Sequence, residues 1–377
     1  MKSVALITEY NPFHNGHLYH AQKSKSITGA DISVAIMSGH FVMRGQPAIY
    51  NKFIRTQMAL SAVDLVIELP AYATLSAGPY FAEAAVKVAD YLSVDHLSFG
   101  SESGDIDAFT SLAKDIESVE NSQQFITKSK EGKSYPRILS ELVSDNTLLS
   151  SPNNTLGISY VRAIRKWAPT IQPWTLKREQ SSHHDAVITG LNFASGTSIR
   201  KSIKDGEELW KQVVPQHLHD LYNQPAVELE DTFHFIKYAI LSNNLNNLNQ
   251  IYTMSEGLEH RLKQVITQAT SFEHLMTLLK TKRYTYTHLQ RVLMNTLLNF
   301  KQNHAPTNIN AVRVLGMNQK GQQYLKELKK NYPERHFITQ VNKKNAHFFS
   351  DEIHATKIYN LLSQDTATDF NTPVIRV

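Results

Sequence analysis

The chain has 377 residues, of which 41% are hydrophobic, and this is enough for roughly two domains with ordinary hydrophobic cores. No apolar run reaches the roughly 18–20 residues that cross a bilayer, and the absence of cysteine excludes disulfides, thiolate metal sites and cysteine nucleophiles, so we expect a cytoplasmic protein without membrane contact. The net charge of +5 is modest, but its distribution along the chain is uneven.

The first hundred residues alternate between short apolar runs and stretches with helical spacing. Strands are predicted at residues 4–7, 32–37, 65–69 and 96–99, and helices at residues 16–28, 51–62 and 80–91. Strands joined by helix-length connections form βαβ units. The pattern therefore predicts an α/β fold with a Rossmann-like parallel sheet that binds its ligand at the carboxyl ends of the strands.

Farther along the chain, helical periodicity replaces this alternation. A further strand is predicted at residues 171–176, and residues 194–198 are suited to begin a helix because their hydroxyl groups can cap it. Beyond residue 204 glycine becomes scarce, and short strands are predicted at residues 312–315 and 336–339. We therefore predict a nucleotide-binding catalytic domain over residues 1–205 and a mainly helical, basic domain over residues 206–377.

A turn rich in small and polar residues joins the first predicted strand to the first helix. Residues 11–17 read N-P-F-H-N-G-H. Backbone amides at a helix start can face an anion, and Gly16 permits its close approach. His14 and His17 are three positions apart, so they project from the same side of a helical turn, where two imidazoles can stabilise charge that develops on an α-phosphorus. Taken alone, such a pair is as often an ordinary surface or core feature.

A second hydroxyl-rich helix start lies near the predicted domain boundary. Residues 195–200 read S-G-T-S-I-R, in which Ser198 and the Arg200 guanidinium are suited to the β- and γ-phosphates. Together the two turns form the paired signature of HIGH-type nucleotidyltransferases, with His14, His17 and Arg200 as catalytic residues. A Walker A loop is absent from the sequence. A zinc site at His14, His17 and His20 is an alternative, although it lacks a carboxylate at a suitable spacing.

The sequence also resembles the bacterial tRNA(Met) cytidine acetate ligase family. The matching blocks are EYNPFHNGH (9–17), MSGHFV (37–42), RGQPA (44–48), DLVIELP (64–70), FGSE (99–102), SPNN (151–154), KR (177–178), HD (184–185), KRYT (282–285) and VLG (314–316). The resemblance covers nearly the whole chain. Two departures flank a presumed site loop: His40 stands where the family has Asn, and Met43 where it has Gln.

Enzymes of this family activate acetate with ATP and pass the acetyl group to N4 of the wobble cytidine of elongator methionine tRNA. The resemblance therefore implies ATP, acetate and this tRNA as ligands, with no DNA; magnesium is expected because ATP normally binds with it. By position, the family implies that residues 7–20 wrap ATP and that three later residues complete the site. With Ser198, the expected ATP-binding residues are Ile7, Thr8, Glu9, Tyr10, Asn11, Pro12, Phe13, His14, Asn15, Gly16, His17, His20, Gly100, Asn153 and Arg178.

Two other functions stay open on the sequence. A small-molecule adenylyltransferase, such as one that makes a dinucleotide cofactor, fits less well because such enzymes tend to be shorter and lack a large basic helical domain. A non-catalytic RNA-binding protein with a degenerate nucleotide site fits less well because His14, His17, Ser198 and Arg200 are intact.

Basic residues are concentrated in the second half. Residues 261–344 contain 15 Lys and Arg against 3 Asp and Glu, whereas the rest of the chain contains 24 against 31. This asymmetry indicates a polyanionic partner, although a charge run is often only a solvated helix face. The densest runs are at residues 280–283 and 326–330, and the predicted tRNA-binding residues are Lys280, Lys282, Arg283 and Arg291. Interleaved aromatic residues that can stack on bases are Tyr284, Tyr286, Phe300, Tyr324 and Tyr332.

Overall fold

The computed structural model describes residues 1–131, 135–143, 147–178, 188, 192–255, 257–302 and 308–377, so that His184 and Asp185 lie outside the described residues. The strands are β1 (Ser3–Thr8), β2 (Ile32–Ser38), β3 (Phe41–Val42), β4 (Gln46–Pro47), β5 (Leu65–Leu69), β6 (His96–Ser101), β7 (Gln172–Lys177), β8 (Ala311–Met317), β9 (His336–Ile338) and β10 (Ile375–Arg376).

The α-helices surround these strands or form a helical layer of their own. They are α1 (Asn15–Thr28), α2 (Lys52–Ala59), α3 (Ala71–Thr74), α4 (Gly78–Tyr91), α5 (Ile106–Glu120), α6 (Gln123–Lys130), α7 (Tyr135–Leu142), α8 (Pro152–Trp167), α9 (Gly196–Lys204), α10 (Phe233–Ser242), α11 (Leu245–Asn249), α12 (Leu258–Val265), α13 (Phe272–Leu279), α14 (Tyr286–Leu297), α15 (Gln319–Asn331) and α16 (Ser350–Ser363). Within the described ranges, every helix is too short or too polar to span a bilayer.

A mainly parallel sheet organises the molecule. Its strand order is β10-β8-β5-β2-β1-β6-β7, with β9 paired to β8, and the pairing of β5 with β8 is antiparallel. The predicted strands of the first hundred residues are confirmed, as are those at residues 171–176, 312–315 and 336–339. The chain leaves β1 toward β2 and later returns to β6 on the other side, which opens a crevice at the carboxyl ends of β1 and β6.

Both faces of the sheet are buried, as the apolar character of the strands predicts. Successive side chains point to opposite faces, so Ala5 packs with α4, α5 and α8, whereas Val4 and Leu6 pack with α1, α2 and α9. This packing fixes two helix starts relative to the strand ends: the start of α1, which follows β1, and the start of α9.

The chain after residue 205 contributes both to a helical layer and to the sheet. Helices α10, α12, α13 and α14 share a hydrophobic core that also includes Tyr359 of α16. In contrast, β8 and β10 extend the same sheet to which β1 belongs. The fold class is confirmed, while the predicted boundary between residues 205 and 206 stays a prediction.

A buried ionic cluster connects the last segment of the chain to the sheet. Lys52 lies 2.8 Å from Glu68 and 2.7 Å from Asp369, and its side chain is fully buried. His40, one of the two expected departures from the family pattern, borders this cluster: its Nδ1 lies 3.3 Å from the Thr356 hydroxyl, which donates to Oδ2 of Asp369 at 2.6 Å. Burial, followed by the nearby Lys52, holds the pKa of His40 well below its usual value, so the ring is neutral.

Part of the predicted nucleic-acid surface is interior. Phe300 and Tyr324 are 2% and 3% exposed and belong to hydrophobic cores, so the prediction that their rings could stack on bases is wrong. Arg313 is also buried, 3.9 Å from Asp369. Hydrophobic packing explains the burial of the two rings, because an aromatic residue between basic residues in the sequence can equally face a hydrophobic core beneath a charged surface.

Candidate active site

The turn between β1 and α1 is fixed by its own side chains. His14 caps α1, and its Nδ1 accepts a hydrogen bond from the backbone N–H of Gly16 at 3.1 Å. A Cβ at position 16 would lie 2.9 Å from Cε1 of His14, which explains why glycine stands there. In the neutral ring the proton is therefore on Nε2, which can donate to an anion.

The two histidines of the turn lie against each other. The ring centroids of His14 and His17 are 3.7 Å apart at an interplanar angle of 26°, and the Tyr10 ring contacts His17 edge-on at 4.9 Å. The spacing of three residues on the first helical turn produces this stack. Among the described residues, no three His, Asp or Glu side chains are placed to hold a metal ion, so His14, His17 and His20 do not form such a group.

His20 lies one turn farther along α1 and also lines the site. Burial, followed by the charge of Arg178, lowers the pKa of His20 to about 4, so the ring is neutral at physiological pH. Its Nε2 is buried and has no hydrogen-bond partner among the described residues. A buried ring nitrogen of this kind is available to a polar group of a ligand.

The second motif, at the start of α9, docks directly on the first. Ser195 caps α9 by accepting from the N–H of Ser198 at 3.1 Å, and Arg200 donates to the carbonyl oxygen of Asn11 at 2.6 Å and to Oγ1 of Thr197 at 3.2 Å. Burial, and then the neighbouring Arg44, lowers the pKa of Arg200 to about 10, so the guanidinium stays charged at neutral pH. Two turns far apart in sequence thus present imidazole, guanidinium and helix-start groups to one space.

The carboxyl ends of β6 and β7 form another wall. Glu102 follows β6 and accepts hydrogen bonds from Nδ2 of Asn153 at 2.7 Å and from Oγ of Ser151 at 2.9 Å. Burial alone would raise the pKa of Glu102, but these hydrogen bonds hold it below its usual value, so the carboxylate is ionised. At Gly100 a Cβ would lie 3.6 Å from Cγ of Arg178, so a larger side chain there would take up space in the cavity.

The opposite wall comes from the β3–β4 hairpin and α14. The N–H of Met43 donates to Oε1 of Glu9 at 2.7 Å, and Nη1 of Arg291 donates to the carbonyl oxygen of Met43 at 3.3 Å. Gly45 has φ +78, and a Cβ there would overlap the backbone of Arg291, so the hairpin turn lies directly on α14. Burial raises the pKa of Glu9 although Met43 and Arg44 act in the opposite direction.

These walls enclose a cavity of about 630 Å³, a volume typical of small-molecule sites. Its charged lining residues among those described are the carboxylate Glu9 and the cations Arg44, Lys177, Arg178, Arg200 and Arg291. The excess of cations is suited to a polyphosphate.

A family model for HIGH nucleotidyl transferases matches residues 1–372. The chain belongs to the HIGH nucleotidyl transferase family. It is 69% identical, over the full length of both chains, to the tRNA(Met) cytidine acetate ligase of Staphylococcus saprophyticus subsp. saprophyticus. It is 60% identical to the protein of the same name from Staphylococcus carnosus, covering 100% of this chain and 99% of that one. The resemblance predicted from the sequence is confirmed.

Solved structures of a similar protein agree over the whole length. The crystal structure of apo Thermotoga maritima TmcAL is 25% identical, with a TM-score of 0.88, and covers 100% of both chains. The structure of the same protein bound with alpha-thio ATP is 26% identical, with a TM-score of 0.85 and the same coverage.

In this HIGH nucleotidyl transferase most of the predicted site residues line one cavity. They are Ile7, Thr8, Glu9, Tyr10, Asn11, His14, Gly16, His17, His20, Gly100, Asn153, Arg178 and Arg200. Their convergence is an observed geometry, while their individual roles stay predictions.

Four predicted ATP-binding residues lie outside this lining: Pro12, Phe13, Asn15 and Ser198. Phe13 is fully buried in the core, and Asn15 is anchored by its Nδ2 to the carbonyl oxygen of Asn192 at 3.1 Å. The Ser198 hydroxyl donates to the carbonyl oxygen of Ser195 at 2.9 Å. These side chains build the turn and the helix cap rather than the cavity wall.

The predicted tRNA-binding residues fall into two places. Lys280, Lys282 and Arg283 lie in the connection between α13 and α14, where Lys282 and Arg283 are exposed. Arg291 lies inside the cavity wall instead. Since Thr287 and Arg291 of α14 both line the cavity, the exposed basic loop lies directly before a helix that forms part of the cavity wall.

Several lining residues were not predicted as site residues. Arg44, Lys177 and Thr197 stood within recognised motifs, so motif membership was a usable signal for them. Phe193 and Tyr160 carried no such signal, because their approach to the cavity depends on how α8 and the segment before α9 pack.

Proposed function

We propose that the chain activates acetate with ATP to acetyl-adenylate and transfers the acetyl group to N4 of the wobble cytidine of elongator tRNA(Met), giving N4-acetylcytidine. The observation that carries this proposal is the hydrogen bond of Arg200 to Asn11, which brings the two phosphate-directed turns into one cavity. The full-length relatives named tRNA(Met) cytidine acetate ligase support the choice of acetate and this tRNA.

In the first step, a carboxylate oxygen of acetate attacks the α-phosphorus of ATP and pyrophosphate leaves. His14, His17 and Arg200 hold the phosphate oxygens, on which negative charge grows during the displacement. The Nδ1 of His14 is engaged by Gly16, so its Nε2 proton is directed to the phosphates. Each such donor typically contributes a few kcal/mol to transition-state stabilisation. ATP enters with Mg²⁺ bound to its phosphates as part of the substrate.

In the second step, the N4 amine of cytidine attacks the acetyl carbonyl carbon. The C–N bond forms, the bond between carbonyl carbon and bridging oxygen breaks, and AMP leaves with that oxygen; the amine loses one proton. No nucleophile from the protein is required, because the adenylate is itself the activated acyl group.

The nucleoside end of ATP lies against β6, β7 and α8 in this proposal. Glu102 orients Asn153 through the 2.7 Å hydrogen bond, so that the amide can present both a donor and an acceptor to the nucleoside. The neutral His20 adds a ring nitrogen on the same side. Arg178 is placed to meet a phosphate or the adenylate.

The tRNA approaches over the second half of the chain. Lys280, Lys282 and Arg283 contact its phosphates from the loop that leads into α14, and the wobble base enters the adjoining cavity. We assign catalysis to residues 1–205 and tRNA binding to residues 206–377. Because ATP and tRNA are cytoplasmic molecules, we place the reaction in the cytoplasm.

Exchange of labelled pyrophosphate into ATP, measured without and with acetate and then with tRNA, tests the proposal. We expect exchange that depends on acetate and does not need tRNA, followed by N4-acetylcytidine in tRNA(Met) detected by mass spectrometry. Exchange that requires a phosphorylated small molecule would instead identify a small-molecule adenylyltransferase. Absence of exchange under every condition would identify a non-catalytic RNA-binding protein.

A further inference from the structure

The cavity contains more cationic side chains than the two phosphate-directed turns supply. Arg200 belongs to α9, and Arg178 follows β7, but Arg44 comes from the β3–β4 turn and Arg291 from α14. The last two line the same cavity from elements that share no part of the β1–α1 turn or of α9. These two guanidinium groups are therefore candidates for binding an anionic group other than the pyrophosphate.

The position of Arg291 is built rather than incidental. Its Nη1 donates to the carbonyl oxygen of Met43 at 3.3 Å, and Gly45 packs on its backbone so closely that only glycine fits. The Nε of Arg291 is buried and has no hydrogen-bond partner among the described residues. A buried guanidinium N–H without a partner is costly, and a ligand oxygen would satisfy it.

Arg44 extends the same site toward the phosphates. It is near enough to Arg200 and Glu9 to affect the pKa of both groups. Glu9 is the carboxylate that faces this wall among the described lining residues, and the N–H of Met43 engages it at 2.7 Å. The half-buried Met43 side chain, which packs against the core, adds apolar surface beside the two arginines.

We infer that Arg44 and Arg291 form the subsite for the carboxylate of the acyl substrate, an inference that rests on the proposed function. In-line displacement requires the nucleophile to approach the α-phosphorus from the face opposite the leaving pyrophosphate. The inference therefore requires Arg44 and Arg291 to hold the carboxylate on that side of the α-phosphorus. Arginine binds a carboxylate with two parallel N–H···O bonds, and the apolar surface of Met43 accepts a short alkyl group.

The test is the acetate dependence of pyrophosphate exchange, measured without tRNA for wild type, Arg291→Met and Arg291→Lys. We expect Arg291→Met to raise KM for acetate roughly 10- to 100-fold, with KM for ATP changed less than about twofold. Arg291→Lys keeps the charge but not the fork, so part of the loss is recovered. Arg44→Met should act in the same direction. Arg137→Met, which removes an exposed arginine from α7, is the matched control and should change neither KM.

The outcomes separate this inference from the proposed function. A wild-type enzyme without acetate-dependent exchange overturns both. An acetate-dependent wild type whose Arg291→Met variant keeps its KM for acetate overturns the subsite alone. If Arg291→Met weakens tRNA binding in a filter assay while KM for acetate is unchanged, the arginine contacts nucleic acid. If it raises KM for ATP or pyrophosphate instead, the arginine holds the leaving group. Either of these last results also overturns the inference.

Discussion

The cavity and the basic loop at residues 280–283 differ in what holds their charged residues. In the cavity, Arg200 is fixed by a backbone carbonyl on the β1–α1 turn, and Arg291 by a carbonyl on the β3–β4 turn. In the loop, Lys280 donates to carbonyl oxygens of the loop itself, whereas Lys282 and Arg283 are exposed. Preorganised groups stabilise a transition state, whereas exposed cations attract phosphates through a charge that salt screens. We therefore expect the cavity to control the rate of the reaction and the loop to control the affinity for tRNA.

Removing both imidazoles should produce the largest effect. We expect His14→Ala combined with His17→Ala to lower acetate-dependent pyrophosphate exchange by at least about 10³-fold, because two donors to the phosphates are lost. Binding of tRNA in a filter assay should stay within about twofold of wild type. Loss of tRNA binding together with exchange, in a sample with an altered melting curve, would show that the histidines support folding instead.

Neutralising the basic loop should weaken tRNA binding and leave the pyrophosphate exchange intact. Lys282→Ala combined with Arg283→Ala should weaken tRNA binding roughly tenfold at physiological salt and reduce the salt dependence of the affinity, since two phosphate contacts are removed. The acetate-dependent exchange measured without tRNA should be unchanged. Equal loss of both activities would contradict the division between cavity and loop.

The nucleoside wall offers an intermediate case. Glu102→Ala removes the acceptor of the Asn153 amide and of the Ser151 hydroxyl, so Asn153 is no longer held in one orientation. We expect KM for ATP to rise roughly five- to tenfold while kcat falls less, because a binding group is misplaced and the phosphate groups are intact. Glu102→Gln retains a carbonyl acceptor and should recover part of the affinity. A change in kcat alone would place Glu102 in the chemical step.

The last prediction concerns stability rather than activity. Burial, followed by the nearby Glu68, raises the pKa of Glu352 to about 8, and its Oε1 accepts the N–H of Ala71 at 2.7 Å. The folded protein therefore holds a proton that the unfolded chain releases near pH 4.5, so this contribution to stability is complete below that pH and is lost as the pH rises to 8. The free energy of unfolding, measured with urea, should fall between pH 5.5 and 8. The fall should be smaller in Glu352→Gln than in wild type by on the order of 1–3 kcal/mol. Identical pH slopes would contradict this origin.

Local patterns predicted the part of the site that local structure builds. The His14-x-x-His17 turn and the cap at Ser195 are short segments whose geometry follows from the strand before and the helix after. The fold class followed from the regular alternation of apolar runs and helical stretches.

The rest of the site depends on contacts between distant segments. Arg291 was predicted to bind tRNA, and its place in the cavity depends on how α14 packs against the turn at Gly45. The burial of Phe300 and Arg313 within a basic segment is likewise a result of tertiary packing, because counting residue types along the sequence does not show which side chains face inward.

The fate of the acetate oxygens tests the central claim most directly. If a carboxylate oxygen attacks the α-phosphorus, acetate labelled with ¹⁸O in both carboxylate oxygens leaves one labelled oxygen in AMP after acetyl transfer to tRNA. Mass spectrometry of the nucleotide products reads this directly. We predict AMP that carries one ¹⁸O and unlabelled pyrophosphate. Label in released inorganic phosphate, or in no phosphorus-containing product, would contradict an acetyl-adenylate formed in this cavity.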